Sequence, residues 1–413
     1  MKRYTKYLLG LSASVVVACQ SQNEFSASGT LDLSNFYAIG DDFSAGFANG
    51  GLYRQAQQGA FPNLIAQQAQ QAGIKTNAFA QPLFSTDQEN GSGYYQWTGT
   101  DTQGLPKLSK VNTRLAIRSN SPLLFTKFLG HNSNLSVPNL CVDELNKTDL
   151  ATTNGNPYFE RIAPNSQKTF LQVIAQQKAS FFSLWLGNND LLMNALNGGT
   201  MAMTNPKDFE KNYRELLKTL TTSQAKGIVF TIPDFMSQSP YFTKLKASAL
   251  GGALKSNLYY KNAQGTLKKA SDNDLILLSA DSIGVSNKSG LPKGYVPSYP
   301  LSNQEVLDTE ELSKVRANLL AYNQIIMAEA KALNLVVIDS DAILKKISIG
   351  QTENGQRIDA GYPSGGFYSL DGYHFTPRGN AFVANEVIKI LNTKFRTQLS
   401  LLNLNDFLSV QKL

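Results

Sequence analysis

Histidine is scarce in this chain, so few residues are available to move protons near neutral pH. Only His131 and His374 occur among the 413 residues. His374 follows Asp371 by three residues ahead of a predicted helix, a spacing that lets a carboxylate accept the Nδ1 proton and orient the ring. We therefore treat Asp371 and His374 as a candidate acid–base pair and expect His131 to be structural. The alternative is a surface turn in which Thr376 caps the helix.

Two further polar segments follow predicted strands. Residues 187–190 come directly after the dense apolar run 180–186, and Asn189 could direct its side-chain amide at a developing oxyanion. A strand-to-helix turn is the alternative there. Residues 36–46 contain another predicted strand, which leads into the adjacent acids Asp41 and Asp42. These segments supply acidic and amide groups at strand ends.

Alternating strand and helix patterns position these residues. Strands are predicted at 35–39, 180–186, 227–232 and 335–338, and helices at 62–72, 208–223, 305–333 and 376–391. This alternation is typical of a parallel sheet covered by helices on both faces. Ligands bind at the carboxyl edge of such sheets. The stretches near 79–122 and 241–300 lack the alternation and are predicted to be insertions rather than separate domains.

In their order along the chain, the polar segments resemble the four motif blocks of the SGNH or GDSL hydrolases. Positions 40, 41 and 46 match Gly-Asp-Ser-x-x-x-Gly, positions 187, 189 and 190 match Gly-x-Asn-Asp, and Asp371 with His374 matches Asp-x-x-His. Residues 134–139 resemble the block that ends in the family's oxyanion glycine. The resemblance covers 35–391, and within this range the chain is similar to a lipoprotein branch of the superfamily. It implies an α/β fold with three α/β/α layers, flavodoxin-like, around a parallel sheet, and hydrolysis of esters.

The chain departs from this pattern at two positions. Asp42 stands where the family has its nucleophilic serine, and Asn139 stands where it has the glycine. Attack of a carboxylate on an ester would give an anhydride and expel an alkoxide, which is a poorer leaving group than the attacker. A charge about 4 Å from a forming oxyanion costs roughly 4 kcal/mol at an effective dielectric near 20, about a thousandfold in rate. Ser44 and Ser136 are poor substitutes, and a helix N-cap is the alternative for Asp42.

The predicted site residues are Asp42, Asn139, Asn189, Asp371 and His374. We expect an SGNH-type protein that binds or acts on an ester, either an acylated lipid or a glycan, with ordinary serine-esterase activity lost or impaired. Two alternatives remain open. In one, the Asp42 and His374 side chains activate a water molecule in a working hydrolase. In the other, the chain is a structural surface lipoprotein that contacts a partner through its long loops.

The N-terminus has the features of a bacterial lipoprotein. A basic start precedes the uncharged stretch 7–18, which is too short to span a hydrocarbon layer of roughly 30 Å. Residues 16–19 resemble a lipobox, which implies that Cys19 is acylated. We predict a signal peptide at 1–18, a lipidated tether at 19–30 and an SGNH domain at 31–413. The expected location is the bacterial cell envelope, lipid-anchored at the outer membrane.

Composition argues against several other classes of protein. The formal charge of +7 arises partly in the N-terminal segment, and the remainder is too small and dispersed for nucleic-acid binding. With Cys19 acylated, Cys141 has no disulfide partner and is expected to be buried rather than reactive. Two distant histidines and one thiol do not form a metal-ligand set, and no glycine-rich phosphate loop occurs. We expect no metal or cofactor; the expected partners are an ester ligand and a membrane.

Overall fold

A computed structural model describes residues 29–74, 76–101, 105–247, 257–410 and 412. The predicted signal peptide, Cys19 and most of the tether lie outside these residues. Numbered in chain order, the strands are β1 Phe36–Gly40, β2 Tyr94–Thr100, β3 Pro106–Val111, β4 Ile117–Asn120, β5 Leu123–Phe125, β6 Phe181–Trp185, β7 Lys226–Phe230, β8 Tyr259–Lys261, β9 Leu267–Lys269, β10 Leu275–Ile276, β11 Val306–Leu307, β12 Val336–Ile338, β13 Gln351–Glu353 and β14 Gln356–Ile358.

The helices vary widely in length. They are α1 Asp42–Ala45, α2 Arg54–Gln58, α3 Phe61–Gln71, α4 Pro157–Ile162, α5 Phe170–Ala175, α6 Asn189–Ala195, α7 Pro206–Thr221, α8 Phe235–Gln238, α9 Pro240–Ala247, α10 Thr309–Ala332, α11 Ser340–Ile349 and α12 Pro377–Phe395. Within the described ranges, none of them combines the length and apolar character needed to cross a membrane.

Four parallel strands form the central sheet, in the order β1, β6, β7, β12. Gly40 at the end of β1 lies beside Trp185 at the end of β6. A short extended segment adds to the outer side of β1, because the Ala38 N–H donates to the Ser133 carbonyl at 2.9 Å and the Leu135 N–H donates to the Ala38 carbonyl at 2.8 Å. This segment leads directly to Asn139 at the edge where the strands end.

Helices cover the sheet on both faces. On one side α7 packs against α5 and α10, and on the other α3 packs against α12. The sheet interior is aromatic: the Trp185 ring stacks on Phe230 with centroids 4.5 Å apart, and Phe61 of α3 contacts both rings. Burial on both faces explains why β6 is a continuous apolar run. The predicted three-layer α/β/α architecture with a parallel sheet is confirmed.

The long helix α10 begins four residues later than predicted. The Asp308 carboxylate accepts hydrogen bonds from the N–H groups of Glu310 and Glu311, both at 3.0 Å, and so caps the helix. Val306–Leu307 before the cap pairs with β10 as a short antiparallel strand. The predicted helix began too early because the strand and the cap before α10 are each only a few residues long and do not interrupt the helical pattern of the sequence.

Antiparallel hairpins occupy much of the two predicted insertions. β2 pairs with β3 in the first, and β8 pairs with β9 in the second. A small hydrophobic cluster packs the second insertion, where it includes Leu245, Leu258 and Ile276, against Leu105 of the first insertion. The second insertion contacts the turn that carries the candidate histidine, because the Tyr241 N–H donates to the Gly372 carbonyl at 3.0 Å. The turn is thereby held against the insertion.

Candidate active site

The end of β1 delivers two adjacent acids into the interior. Gly40 has no room for a side chain, since an added Cβ would lie 2.5 Å from the Trp185 carbonyl oxygen of the neighbouring strand. Asp41 caps α1 by accepting a hydrogen bond from the Phe43 N–H at 3.3 Å. The alternative interpretation of Asp42 as the helix cap was therefore wrong. Its carboxylate instead faces the end of β6.

Two consecutive amides after β6 bind these two acids in matched order. Asn188 Nδ2 donates to Asp41 Oδ2 at 2.9 Å, and Asn189 Nδ2 donates to Asp42 Oδ2 at 2.5 Å. Burial raises the pKa of Asp41 well above its ordinary value, and the charge of Asp42 adds to this effect. Sequence reasoning missed the role of Asn188. The available signal was the pair of adjacent acids, because two buried carboxylates require two sets of donors.

Asn139 supplies a second donor to Asp42. Its backbone N–H donates to the same Oδ2 oxygen at 3.0 Å. The residue has φ 62°, in the left-handed region that glycine favours and that asparagine tolerates better than most other residues. Its side chain is exposed to solvent. An asparagine can therefore adopt here the backbone conformation of a glycine and still direct its N–H into the site.

The structure brings Asp371 and His374 together beside Asp42. His374 Nδ1 lies 3.1 Å from Asp371 Oδ2, which also accepts a hydrogen bond from the Gly50 N–H at 2.8 Å. Burial alone would raise the pKa of Asp371, but the charge of His374 and hydrogen bonds from His374 and Gly50 outweigh it and lower that pKa. His374 Nε2 lies 3.7 Å from Asp42 Oδ1, beyond hydrogen-bonding distance.

Aromatic rings enclose the imidazole. The ring centroids of Phe43, Phe47 and Tyr373 lie 5.0, 4.9 and 4.1 Å from that of His374. The Asp42 and His374 residues are each only 2% exposed. Because water is largely excluded, the electrostatic interactions between these side chains are stronger than they would be at the surface.

A family model described as GDSL-like Lipase/Acylhydrolase matches residues 36–387. The chain belongs to this family. The match begins at the first residue of β1 and ends within α12, so it includes all five predicted site residues. No curated protein matches the sequence closely enough to count as a relative.

Solved structures similar to this GDSL-family chain include two esterases. A lipase/acylhydrolase from Enterococcus faecalis has 10% sequence identity and a TM-score of 0.35, covering 89% of this chain and all of the other. An acetylxylan esterase from Geobacillus stearothermophilus has 11% identity and a TM-score of 0.36, covering 87% and 94% of the two chains. Similarity at this level identifies neither a substrate nor a reaction.

The other candidate nucleophiles of this GDSL-family protein are poorly placed or unreactive. Ser44 and Ser136 are buried, and neither hydroxyl hydrogen-bonds to any described residue. Cys141 is half-buried, and burial strongly raises the pKa of its thiol, which disfavours the thiolate. His131 is exposed, with Nε2 lying 3.3 Å from Ser133 Oγ.

Asp190 anchors the loop that carries Asn139. Its two carboxylate oxygens accept hydrogen bonds from the Val142 N–H at 3.0 and 2.9 Å, and the Thr204 hydroxyl donates to it at 2.5 Å. Burial raises the pKa of Asp190 to about 7. The last residue of the Gly-x-Asn-Asp block is thus a structural support, and Asn189 beside it faces the site.

One group of ligand-type side chains comes together in the part of the chain that the structure describes. The ligand atoms of Cys141, Asp143 and Glu144 lie within 4.8 Å of one another. They already serve the turn, because the Cys141 N–H donates to Glu144 Oε2 at 3.0 Å and Lys147 lies 3.5 Å from both acids. This turn is explained by its own capping contacts, and we assign no metal to it.

Proposed function

We propose that this GDSL-family chain has lost ordinary serine-esterase activity, because Asp42 replaces the nucleophile and its carboxylate fills the oxyanion hole. One observation carries the proposal: a single oxygen, Asp42 Oδ2, accepts both the Asn139 N–H and the Asn189 side-chain amide. Donors placed in this way stabilise the oxyanion of a tetrahedral intermediate during acyl transfer. A substrate carbonyl would have to displace a charged acceptor before either donor could polarise it.

The energetic cost of this arrangement is large. Loss of one oxyanion-hole donor costs about 10²–10³ in rate, and a substrate that left Asp42 in place would have access to neither donor. Displacing the carboxylate is also costly, because its charge would remain within roughly 4 Å of the new oxyanion at about 4 kcal/mol. Both routes lead to a strongly impaired esterase.

We further propose that the chain binds an ester-bearing ligand, an acylated lipid or a glycan, at the carboxyl edge of the sheet. Support comes from the insertions, whose side chains and backbone border the candidate site. The first insertion places the Tyr95 ring against Gly50, and the second binds the Gly372 carbonyl through Tyr241. Long loops at this edge of an α/β sheet are the usual position for a ligand site.

Lipid anchoring through Cys19 in the bacterial cell envelope, at the outer membrane, is also part of the proposal. It is supported by the sequence of residues 1–19 and by the position of the first described residues. The Thr30 N–H donates to the Phe395 carbonyl at 2.8 Å, and Lys226 at the start of β7 donates to the Thr30 carbonyl at 2.8 Å. The chain thus enters at the amino ends of the strands. An anchor there would leave the site facing away from the membrane.

Hydrolysis of p-nitrophenyl acetate by the mature chain, compared with Asp42→Ala and His374→Ala, tests the loss of activity. We expect three equal rates, none above that of buffer alone. A wild-type rate that either substitution abolishes would overturn the proposal. It would favour the alternative in which Asp42 and His374 activate a water molecule, since a positioned general base contributes about 10²–10⁴ in rate. Circular dichroism confirms that each variant is folded.

A further inference from the structure

An aromatic groove lies beside the candidate site, between β2 and residues 408–410. Its cavity has a volume of about 170 Å³. The side chains that define this aromatic groove are Asn49, Tyr53, Tyr94, Tyr95, Gln96 and Trp97. The cavity is smaller than the roughly 300–1,000 Å³ of a typical pocket for a drug-sized ligand. It is therefore of a size to hold one small ring.

The rings of the aromatic groove are held in fixed orientations. Tyr53 stacks on Tyr94 with centroids 4.0 Å apart and an angle of 21° between the planes. The Tyr53 hydroxyl accepts a hydrogen bond from Asn49 Nδ2 at 2.9 Å. Trp97 Nε1 donates to the Gly99 carbonyl at 2.5 Å. Little conformational entropy would be lost on binding, because these large side chains are already ordered.

The lining combines aromatic surface with uncharged hydrogen-bonding groups. Beside the rings it contains the amides of Gln55 and Gln96 and the aliphatic side chains of Leu370, Leu408 and Val410, and the described residues that line it include no Asp, Glu, Lys, Arg or His. A charged ligand would find no counter-ion there. An acyl chain would cover the amides without offering them hydrogen bonds, which is costly. The lining suits an uncharged ligand with apolar faces and a polar rim.

We propose that the aromatic groove binds a sugar ring of an uncharged glycan. A sugar ring presents C–H groups on its faces and hydroxyls around its edge, so it can stack on tyrosine or tryptophan while its hydroxyls pair with the amides. The proposal deepens the proposed function by choosing a glycan over a lipid as the ligand. It rests on that function only for the expectation that the bound glycan carries an ester. Binding itself does not depend on whether the site hydrolyses anything.

Backbone contacts connect the aromatic groove to the candidate active site. An added Cβ on Gly50 would lie 2.7 Å from the Tyr95 ring, so this ring lies directly against the Gly50 backbone. The Gly50 N–H donates to Asp371 Oδ2, the oxygen that contacts His374. A sugar in the groove would therefore lie against the loop that supports the histidine, as expected for a subsite that positions a substituted glycan.

The two tryptophans of the chain allow a direct binding test. Trp97 lines the aromatic groove, whereas Trp185 is only 1% exposed in the core and serves as an internal reference. We expect cellohexaose, xylohexaose or chitohexaose to give a saturable change in the tryptophan emission of the mature chain. The change should be insensitive to added salt, because no charged side chain takes part. It should vanish in Trp97→Phe while calorimetric binding persists.

Matched variants separate groove binding from unfolding and from catalysis. Tyr95→Ala should weaken binding at least about tenfold, whereas Tyr259→Ala, a partly exposed tyrosine of the second insertion, should leave it unchanged. Binding is measured by fluorescence and calorimetry rather than by turnover, so a failure of the proposed function in the hydrolysis assay would not affect this result. The proposal is overturned if none of the three sugars binds, if both tyrosine variants weaken binding equally, or if lysophosphatidylcholine micelles compete for the groove.

Discussion

Replacing Asp42 by serine should create an esterase from this chain. The substitution removes the carboxylate oxygen that accepts hydrogen bonds from Asn139 and Asn189, and both donors stay directed at the vacated position. It also places a hydroxyl beside His374, whose Nδ1 is already paired with Asp371 at 3.1 Å. The three parts of a serine-esterase site would then be assembled: a nucleophile, an oriented base and an oxyanion hole.

The size of the gain follows from the nucleophile that is supplied and the charge that is removed. The new serine supplies the missing nucleophile, and it attacks in a site without a carboxylate about 4 Å from the oxyanion, which would cost roughly 4 kcal/mol at an effective dielectric near 20; its rate should therefore exceed that of Asp42→Ala, which lacks a nucleophile, by about a thousandfold. General-base assistance by His374 adds to this. The further change Asn139→Gly should add less than about tenfold, because Asn139 already has φ 62° and its N–H already faces the site.

The assay is hydrolysis of p-nitrophenyl acetate, together with intact-mass detection of a fluorophosphonate adduct on the new serine. Asp42→Ala is the matched control that removes the charge without supplying a nucleophile. The double variant Asp42→Ser with His374→Ala removes the base. If folded Asp42→Ser is no faster than Asp42→Ala and forms no adduct, the assignment of Asp42 to the nucleophile position is wrong.

Three further predictions concern stability and reactivity. Burial raises the pKa of Asp190 from 3.8 to about 7, so the unfolded chain loses this proton at a lower pH than the folded chain does. The free energy of unfolding should therefore decrease as the pH rises from about 4 to 7, by on the order of 4 kcal/mol. Asp190→Asn should flatten the pH dependence of urea unfolding over that range, and an unchanged slope would contradict the shift. Gly40→Ala should destabilise the fold by about 2 kcal/mol or more in the same assay, because the new Cβ would lie 2.5 Å from the Trp185 carbonyl oxygen; a loss below 0.5 kcal/mol, the size of an ordinary surface substitution, would show that β1 can shift. Iodoacetamide at pH 8 should alkylate Cys141 at least about a hundredfold more slowly in the folded chain than in guanidinium, since burial raises the pKa of its thiol; equal rates would mean an open thiol.

Much of the fold could be predicted from sequence because its elements are long and strongly patterned. The apolar run that forms β6 and the amphipathic pattern of α7 each agree with the observed element to within two residues. Parallel strands end at one edge, so motifs at strand ends in the right order were enough to bring Asn189 and His374 near Asp42. The short features were missed: the cap at Asp308 and the strand before it shifted the start of α10.

The details of the site depended on contacts that leave little trace in sequence. Asp41 rather than Asp42 caps α1. Which of the two acids caps the helix depends on their hydrogen bonds to Asn188 and Asn189 after β6. The segment that carries Asn139 pairs with β1 through only a few hydrogen bonds, so its sequence has no strand pattern from which the pairing could be predicted. The occupation of both donors by Asp42 Oδ2 is a matter of side-chain rotamer, which only three-dimensional packing determines.

The central claim is that the Asp42 carboxylate holds both oxyanion donors, and selective ¹⁵N-asparagine labelling can test it by NMR. In the wild-type chain, the Asn139 backbone amide and the Asn189 side-chain amide should resonate downfield, as expected for donors to a carboxylate. Both resonances should move upfield in Asp42→Ala. The Asn188 side-chain amide, bound to Asp41 at 2.9 Å, should stay in place as the internal control. If the Asn139 and Asn189 resonances do not move, Asp42 does not occupy the oxyanion hole.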